Sequence, residues 1–300
     1  MTKLSQHRTG FAILWGVSLL LGWRVLVDTF ALSLRDDEYT YILLILPFSA
    51  ALIFLERGSL WKMVTLSILA GLAVLVSAAL IPCLVRGWSA WLAPDVQLSM
   101  RMCALVLWWI GAFVLCYGFR ATRSVLFPVL FLFGLVPLPQ SVLTVIIALL
   151  QQWSACAAHV LFAASGVPVV QDGVLLAIPG LTIQVAQECS SIRSSSMLLV
   201  TTMVLAQLLL RSPSRKAMMI GLAIPLSVAK NGLRIFTIAM LGTRVDPGYL
   251  RGELHRQGGI MFFGIALAVV LALLWIFRKG EDAPLVSDLR PDGGTVSPNS

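Results

Sequence analysis

The sequence predicts an all-α polytopic membrane protein: about eight transmembrane helices, one amphipathic helix and a short hairpin-like excursion on the outer face. Three observations predict this class. Of 300 residues, 58% are hydrophobic and only 12% are charged, against about 25% charged in ordinary soluble domains. The apolar residues fall in runs that match the ~20 residues a helix needs to cross a bilayer core. Lys and Arg punctuate those runs, as the positive-inside rule expects of loops. No sizeable aqueous domain fits in the remainder, so residues 1–280 read as one integral membrane domain.

The first run, Phe11 to Phe30, follows Lys3, His7 and Arg8. It is too long for a signal-peptide core and lacks a small-residue cleavage site, so it reads as a retained first span. Runs at 39–55, 60–85, 102–119, 124–138, 189–210, 217–241 and 258–277 complete eight spans. The segment 141–165 is apolar too, but Ser141, Thr144, Gln151, Gln152 and His159 gather on one side of a helical projection. That amphipathic pattern predicts a helix lying along the membrane rather than crossing it. Residues 281–300, polar and rich in Pro and Gly, read as a disordered cytoplasmic tail.

Charge supplies the sidedness. The formal net charge is +8, and the acidic tail hides a larger basic excess on the rest. With both termini inside, Lys3, Arg8, Arg57, Lys62, Arg120, Arg123, Arg211, Arg215, Lys216, Arg278 and Lys279 all fall on the cytoplasmic side. The cluster Asp36-Asp37-Glu38, the segment 166–188 and the loop 242–257 then lie outside. Counts from the two termini agree only if 141–165 does not cross. Basic residues placed between hydrophobic runs argue for a membrane and against nucleic acid as the partner.

Four cations fall inside spans, where each costs about 2.5–3.5 kcal/mol even on the lenient insertion scale. Arg24 has Asp28 one turn away and reads as a neutralised helix end. Lys230 and Arg234 also stand at i and i+4, but they carry like charges, and Lys230 lies near the middle of 217–241. A functional role for this pair is expected. The fourth, Arg193, follows Cys189 by one turn.

Cys189 is the one cysteine whose setting predicts reactivity. The punctuated excursion 166–188, with stretches Val174–Ile178 and Leu181–Val185 between Gly and Pro, delivers the chain to Gln187-Glu188-Cys189 at the outer start of the sixth span. A helix N-terminus and the Arg193 guanidinium both favour a thiolate there. Cys83, Cys103, Cys116 and Cys156 sit in apolar surroundings and read as ordinary membrane cysteines, with a Cys83–Cys103 disulfide as a lesser alternative. No CxxC pair or His at ligand spacing indicates a metal, and no cofactor is expected. His255 ends the other outer loop, and Arg234 lies in the outer half of the seventh span. A thiol, an imidazole and a guanidinium together supply a nucleophile, a general acid-base and an oxyanion donor, the set that acyl transfer requires. His159 is the competing imidazole; on the polar face of 141–165 it is expected to be solvated.

At these residues the sequence resembles the exosortase/archaeosortase family of membrane cysteine transpeptidases. The likeness begins at Phe127-Pro128 and Phe131-Leu132-Phe133-Gly134-Leu135-Val136-Pro137-Leu138-Pro139, and continues through Gly166-Val167-Pro168-Val169. It then takes in Val185-Ala186-Gln187-Glu188-Cys189-Ser190-Ser191-Ile192-Arg193-Ser194, Ala229-Lys230-Asn231-Gly232-Leu233-Arg234-Ile235 and Leu254-His255-Arg256-Gln257-Gly258. The motif-bearing part is 127–265. The resemblance implies that Cys189 is the nucleophile with Arg234 and His255 as partners, and that Arg193, Lys230, Asn231 and Glu188 bind substrate or support the site. It further implies secreted protein substrates that end in a short Pro-containing motif, a hydrophobic span and a basic end, processed at the outer face of a bacterial inner membrane. Ser191 stands where the family's cysteine motif commonly has Gly, and Glu188 immediately precedes the cysteine. The rival classes are an anion transporter, with the buried cations along its path, and a non-catalytic export scaffold. A transporter should carry an internal repeat, and none relates 1–138 to 189–277.

Overall fold

The computed structural model describes residues 3–56, 67–185, 192–246 and 253–282, with backbone alone for 3–8, 253–258 and 282. In chain order the helices are α1 (Lys3–Arg35), α2 (Ile42–Leu55), α3 (Ile68–Gly87), α4 (Pro94–Tyr117), α5 (Phe119–Ser124), α6 (Leu126–Phe131), α7 (Gln140–Ala164), α8 (Ile192–Leu209), α9 (Pro213–Arg244) and α10 (Glu253–Asp282). Short 3-10 turns at Asp37–Tyr39 and Leu132–Leu135 link α1 to α2 and continue α6. Between α7 and α8 lie strands β1 (Val170–Asp172), β2 (Leu175–Ile178) and β3 (Leu181–Gln184), an antiparallel meander in that order. Eight helices among the described residues are long and apolar enough to cross a membrane, so this is a multi-pass, all-α membrane protein.

The span expected over 124–138 is not one helix. It is broken into α5, α6 and a 3-10 turn, and its longest apolar piece, Leu126–Leu135, is too short to cross alone. Pro128, which has no N–H to bond back to Ser124, accounts for the break between α5 and α6, and Gly134, Pro137 and Pro139 end the segment. The broken segment nevertheless follows the whole of α2. Val129 and Ile53 share one cluster, the Ser49 hydroxyl donates to the Pro128 carbonyl at 2.6 Å, Gly134 abuts Ile45, and the Tyr39 hydroxyl donates to the Leu138 carbonyl at 2.8 Å. Ser99 donates to the Pro137 carbonyl, and the Gln140 amide donates to Asp95, which lies in the first turn of α4.

This places the start of α7 near the same end of the bundle as the Asp37–Tyr39 turn. The start of α8 is at that end too, because Arg193 pairs with Asp37. Helix α7 therefore leaves from one end, and the chain re-enters the bundle from that end after the meander. By length and composition α7 is among the eight helices able to cross a membrane, whereas the sequence predicts a helix lying along it, and the broken segment is not among them.

Packing explains the other boundaries. Helix α4 starts eight residues before the expected 102 because Pro94 occupies its first turn, where a missing N–H is harmless. Against it lies α3. A Cβ on Gly71 would fall 2.6 Å from the Leu115 backbone, and one on Gly111 3.0 Å from the Leu75 side chain. Small residues at such crossings let helices approach where apolar burial alone gives no drive, since lipid is equally apolar. In the meander, the Pro179-Gly180 pair joins β2 to β3, with Gly180 at φ 81°, the conformation a type II turn requires at its third residue. Residues 283–300 of the expected tail lie outside the described residues. Glu281 does not belong to it: it ends α10 and accepts hydrogen bonds from the Arg211 and Ser212 amides at 2.9 and 2.8 Å.

Candidate active site

Helix α9 is the strut on which the site is built. Four polar or small positions between 227 and 232 fasten it to its neighbours. Ser227 and Ser195 share a 2.5 Å hydrogen bond, and the Lys230 ammonium donates to the Ser194 hydroxyl, both on α8. On the other side the Asn231 amide donates to Ser154 of α7 at 2.9 Å. Gly232 lies so close to α7 that a Cβ there would be 2.6 Å from the Ala157 Cβ. Ser154 and Asn231 are each 1% exposed and Lys230 is 6% exposed. Arg234, half-buried, follows Lys230 by one turn.

Lys230 lies near the middle of α9, as the sequence predicts. Helix α9 runs from Pro213 to Arg244, longer than the expected 217–241, and Lys230 stands level with Ser194, the third residue of α8. Its side chain is buried inside the protein.

Cys189 and Glu188 lie outside the described residues, but both ends of the stretch that carries them are fixed. On one side Val185 is buried in a cluster with Ile235 and Ala239 of α9, and its carbonyl accepts from Gln151 of α7. On the other side, Ser194 is held by Lys230. Arg234 lies between these anchors on α9, adjacent to Ile235 and one turn from Lys230. His255 is the third residue of α10, which begins at the end where α9 stops; its side chain lies outside the described residues.

Four expectations are corrected. Arg193 does not stand free to serve a thiol: its guanidinium donates to Asp37 at 2.7 Å, and the two side chains are 54% and 75% exposed. Arg24 makes no ion pair with Asp28; its guanidinium lies 5.7 Å from the Trp23 ring centroid. His159 is half-exposed rather than solvated on all sides, and its Nδ1 is buried without a hydrogen-bond partner. Cys83, Cys103, Cys116 and Cys156 are free thiols, so the alternative disulfide does not form.

The sequence reading missed Asp37, Ser154, Ser195, Ser227 and Gly232. The only advance signal for Asp37 was its place in an acidic outer triplet. The serines and glycine looked like ordinary small residues of apolar helices. Beside the seam is a cavity of about 430 Å³ lined almost wholly by apolar side chains, among them Leu150, Trp153, Ile192 and Ile224, with Ser195 and Ser227 on its wall.

A helical, multi-pass membrane protein with a polar seam joining three helices is the class that fold and site define. Within that class, the family model described as Transmembrane exosortase (Exosortase_EpsH) matches residues 33–272. The chain therefore belongs to the transmembrane exosortase family, and the match extends well upstream of the motifs at 127–265. No curated protein and no solved structure matches it.

Proposed function

We propose that this protein is a cysteine protease-transpeptidase that cleaves the C-terminal sorting signal of secreted proteins at the outer face of the bacterial inner membrane. Both termini are cytoplasmic in this reading, and the end of the bundle bearing Asp37, Asp95 and Arg193 faces the periplasm. The observation that carries it is the position of Arg234, between the two anchors of the stretch that contains Cys189. Family membership supports the same reading.

The Cys189 thiolate attacks the scissile carbonyl carbon, and Arg234 donates hydrogen bonds to the oxyanion that forms. As the tetrahedral intermediate collapses, the C–N bond breaks and the departing amine takes a proton from His255. The acyl group is then held as a thioester on Cys189. An acceptor nucleophile, losing its proton to His255, attacks the thioester carbonyl and releases the thiolate.

The test is Cys189→Ala together with mass spectrometry of the wild-type enzyme. In the variant, full-length substrate accumulates at the membrane while the protein itself stays at normal level. In the wild type, a hydroxylamine-labile acyl adduct appears on Cys189 and on none of the other four cysteines. Continued cleavage by Cys189→Ala removes this residue from the mechanism.

A further inference from the structure

Helix α1 is the span least covered by the rest of the chain: 6% of its membrane stretch is buried, the smallest share among the eight long apolar helices described. One side makes its contacts. Ser18, Thr29 and Ser33 are buried there, and the indole N–H groups of Trp109 and Trp108 on α4 donate to the Ser18 hydroxyl and the Leu14 carbonyl at 2.8 and 3.1 Å. About 120° further round the helix, at 3.6 residues per turn, lies a face on which Val17, Leu20, Leu21 and Val27 are exposed. Arg24 and Asp28 are exposed on that same face, one turn apart. Arg24 is also deep, about 16 Å of helix below the end of α1 at Arg35. Charged side chains that face lipid at such depth are costly unless they are paired.

We propose that this face of α1 is a homodimer interface, in which Arg24 and Asp28 of two copies form two reciprocal ion pairs within the membrane. A face that carries both signs is self-complementary. Arg24 and Asp28 are about 40° apart in helical projection, so they flank the midline of the face, and Val17 falls on it. Copies of one chain insert with the same sidedness, so a two-fold axis relating two of them runs along the membrane normal. That operation brings Arg24 of one copy to the same side of the interface as Asp28 of the other, and repeats the pair on the opposite side. The other candidate partners satisfy less of the face. An anionic lipid would meet Arg24 from too far away and leave Asp28 unmatched. Pairing within one helix has the cation on the N-terminal side, the weaker i,i+4 orientation, and among the described residues no such pair forms. The inference is independent of which residue is the nucleophile.

The experiment uses the full-length protein in membranes, with Cys83, Cys103, Cys116, Cys156 and Cys189 replaced by Ala and a single cysteine introduced as Val17→Cys. Mild oxidation yields a disulfide-linked dimer on non-reducing gels. Leu72→Cys, on the exposed face of α3, yields none. Arg24→Asp or Asp28→Arg alone sets like charges against each other and lowers the cross-linked fraction roughly tenfold, the scale of a polar contact between helices in lipid. Co-expression of the two single variants under different tags restores cross-linking, and only between unlike tags. Pairing within one helix cannot produce that result. Where charge reversal impairs insertion, the apolar variant Arg24→Leu/Asp28→Leu carries the test: it stays in the membrane and loses the dimer. Undiminished cross-linking in that variant overturns the proposal, as does absence of the Val17→Cys dimer in the otherwise unaltered chain, or cross-linking through Leu72→Cys to the same extent.

Discussion

The α3–α4 crossing and the α7–α8–α9 crossing use the same glycine device for different ends. At the first, Gly71 and Gly111 admit Leu115 and Leu75, and the atoms they meet are those of leucines. At the second, Gly232 admits Ala157 and Ala158, but serines, an asparagine and a lysine follow it along the seam. Close approach alone is sufficient to join two helices in lipid. The polar groups of the second seam are therefore more than adhesive: a buried polar group that misses its partner costs about 1–3 kcal/mol, and a sequence selected only for adhesion would avoid that exposure. What they add is a fixed register between α8 and α9, which a smooth apolar contact does not specify.

The largest expected effect belongs to Arg234. Arg234→Lys keeps the charge but loses the planar fork, so the variant folds and inserts while substrate processing falls about 10²–10³-fold, the usual loss when one oxyanion donor is removed. Immunoblots of membrane-bound protein beside the ratio of processed to full-length substrate measure this. Near-normal turnover would reduce the polar seam to a structural feature like the α3–α4 crossing.

The two glycines sharpen the comparison at the next level. Gly71→Ala and Gly232→Ala each force a methyl to within 2.6 Å of existing atoms, an overpacking that costs about 1–3 kcal/mol. Both should lower the thermal midpoint in detergent. Only Gly232→Ala should also lower activity per folded molecule, because only that glycine sets the position of Arg234. A matching activity loss in Gly71→Ala would make the two crossings equivalent.

How much of this was legible depends on which force wrote it. Hydropathy is additive along the chain, so the helical class, seven of the eight long apolar helices and the meander strands at Val174–Ile178 and Leu181–Val185 could be read from runs and punctuation. Length failed where local chemistry overrides composition. The segment 124–138 is apolar enough for a helix, yet Pro128 breaks it and Gly134, Pro137 and Pro139 end it, and its company with α2 exists only in three dimensions. The site divides in the same way. Arg234 and Lys230 announced themselves because charge is conspicuous in an apolar run. Ser154 and Gly232 did not, since a serine or glycine means something only once its neighbour is known. Arg193 was misread for a related reason: spacing within α8 pointed at Cys189, while the actual partner, Asp37, is 156 residues away in the chain.

Ser154 comes next in expected size. Ser154→Ala leaves the buried Asn231 side chain without the hydroxyl it donates to, and the Asn231 Oδ1 already lacks a partner. The expected cost is about 1–2 kcal/mol, tempered because groups in an unfolded membrane helix find other partners. A double-mutant cycle with Asn231→Ala measures the pair directly. Additive effects would show that the hydrogen bond is not what joins α7 to α9.

The smallest effect is expected at Asp37–Arg193, although its ion-pair distance is short. Its length, 2.7 Å, says that the geometry is good. Its exposure says that little follows from it: with half or more of each side chain in contact with solvent, Coulomb attraction is offset by hydration and by the entropy of holding two flexible groups. A pair of this kind contributes roughly 0–1 kcal/mol and weakens as ionic strength rises. Asp37→Asn should therefore lower the thermal midpoint slightly at low salt and not measurably at 0.5 M salt, with substrate processing close to normal. The buried Lys230–Ser194 bond, shielded from ions, should show no such salt dependence. Loss of processing in Asp37→Asn equal to that of Arg234→Lys would break the comparison, because it would make an exposed contact from the α1–α2 turn as necessary to the chemistry as the buried seam.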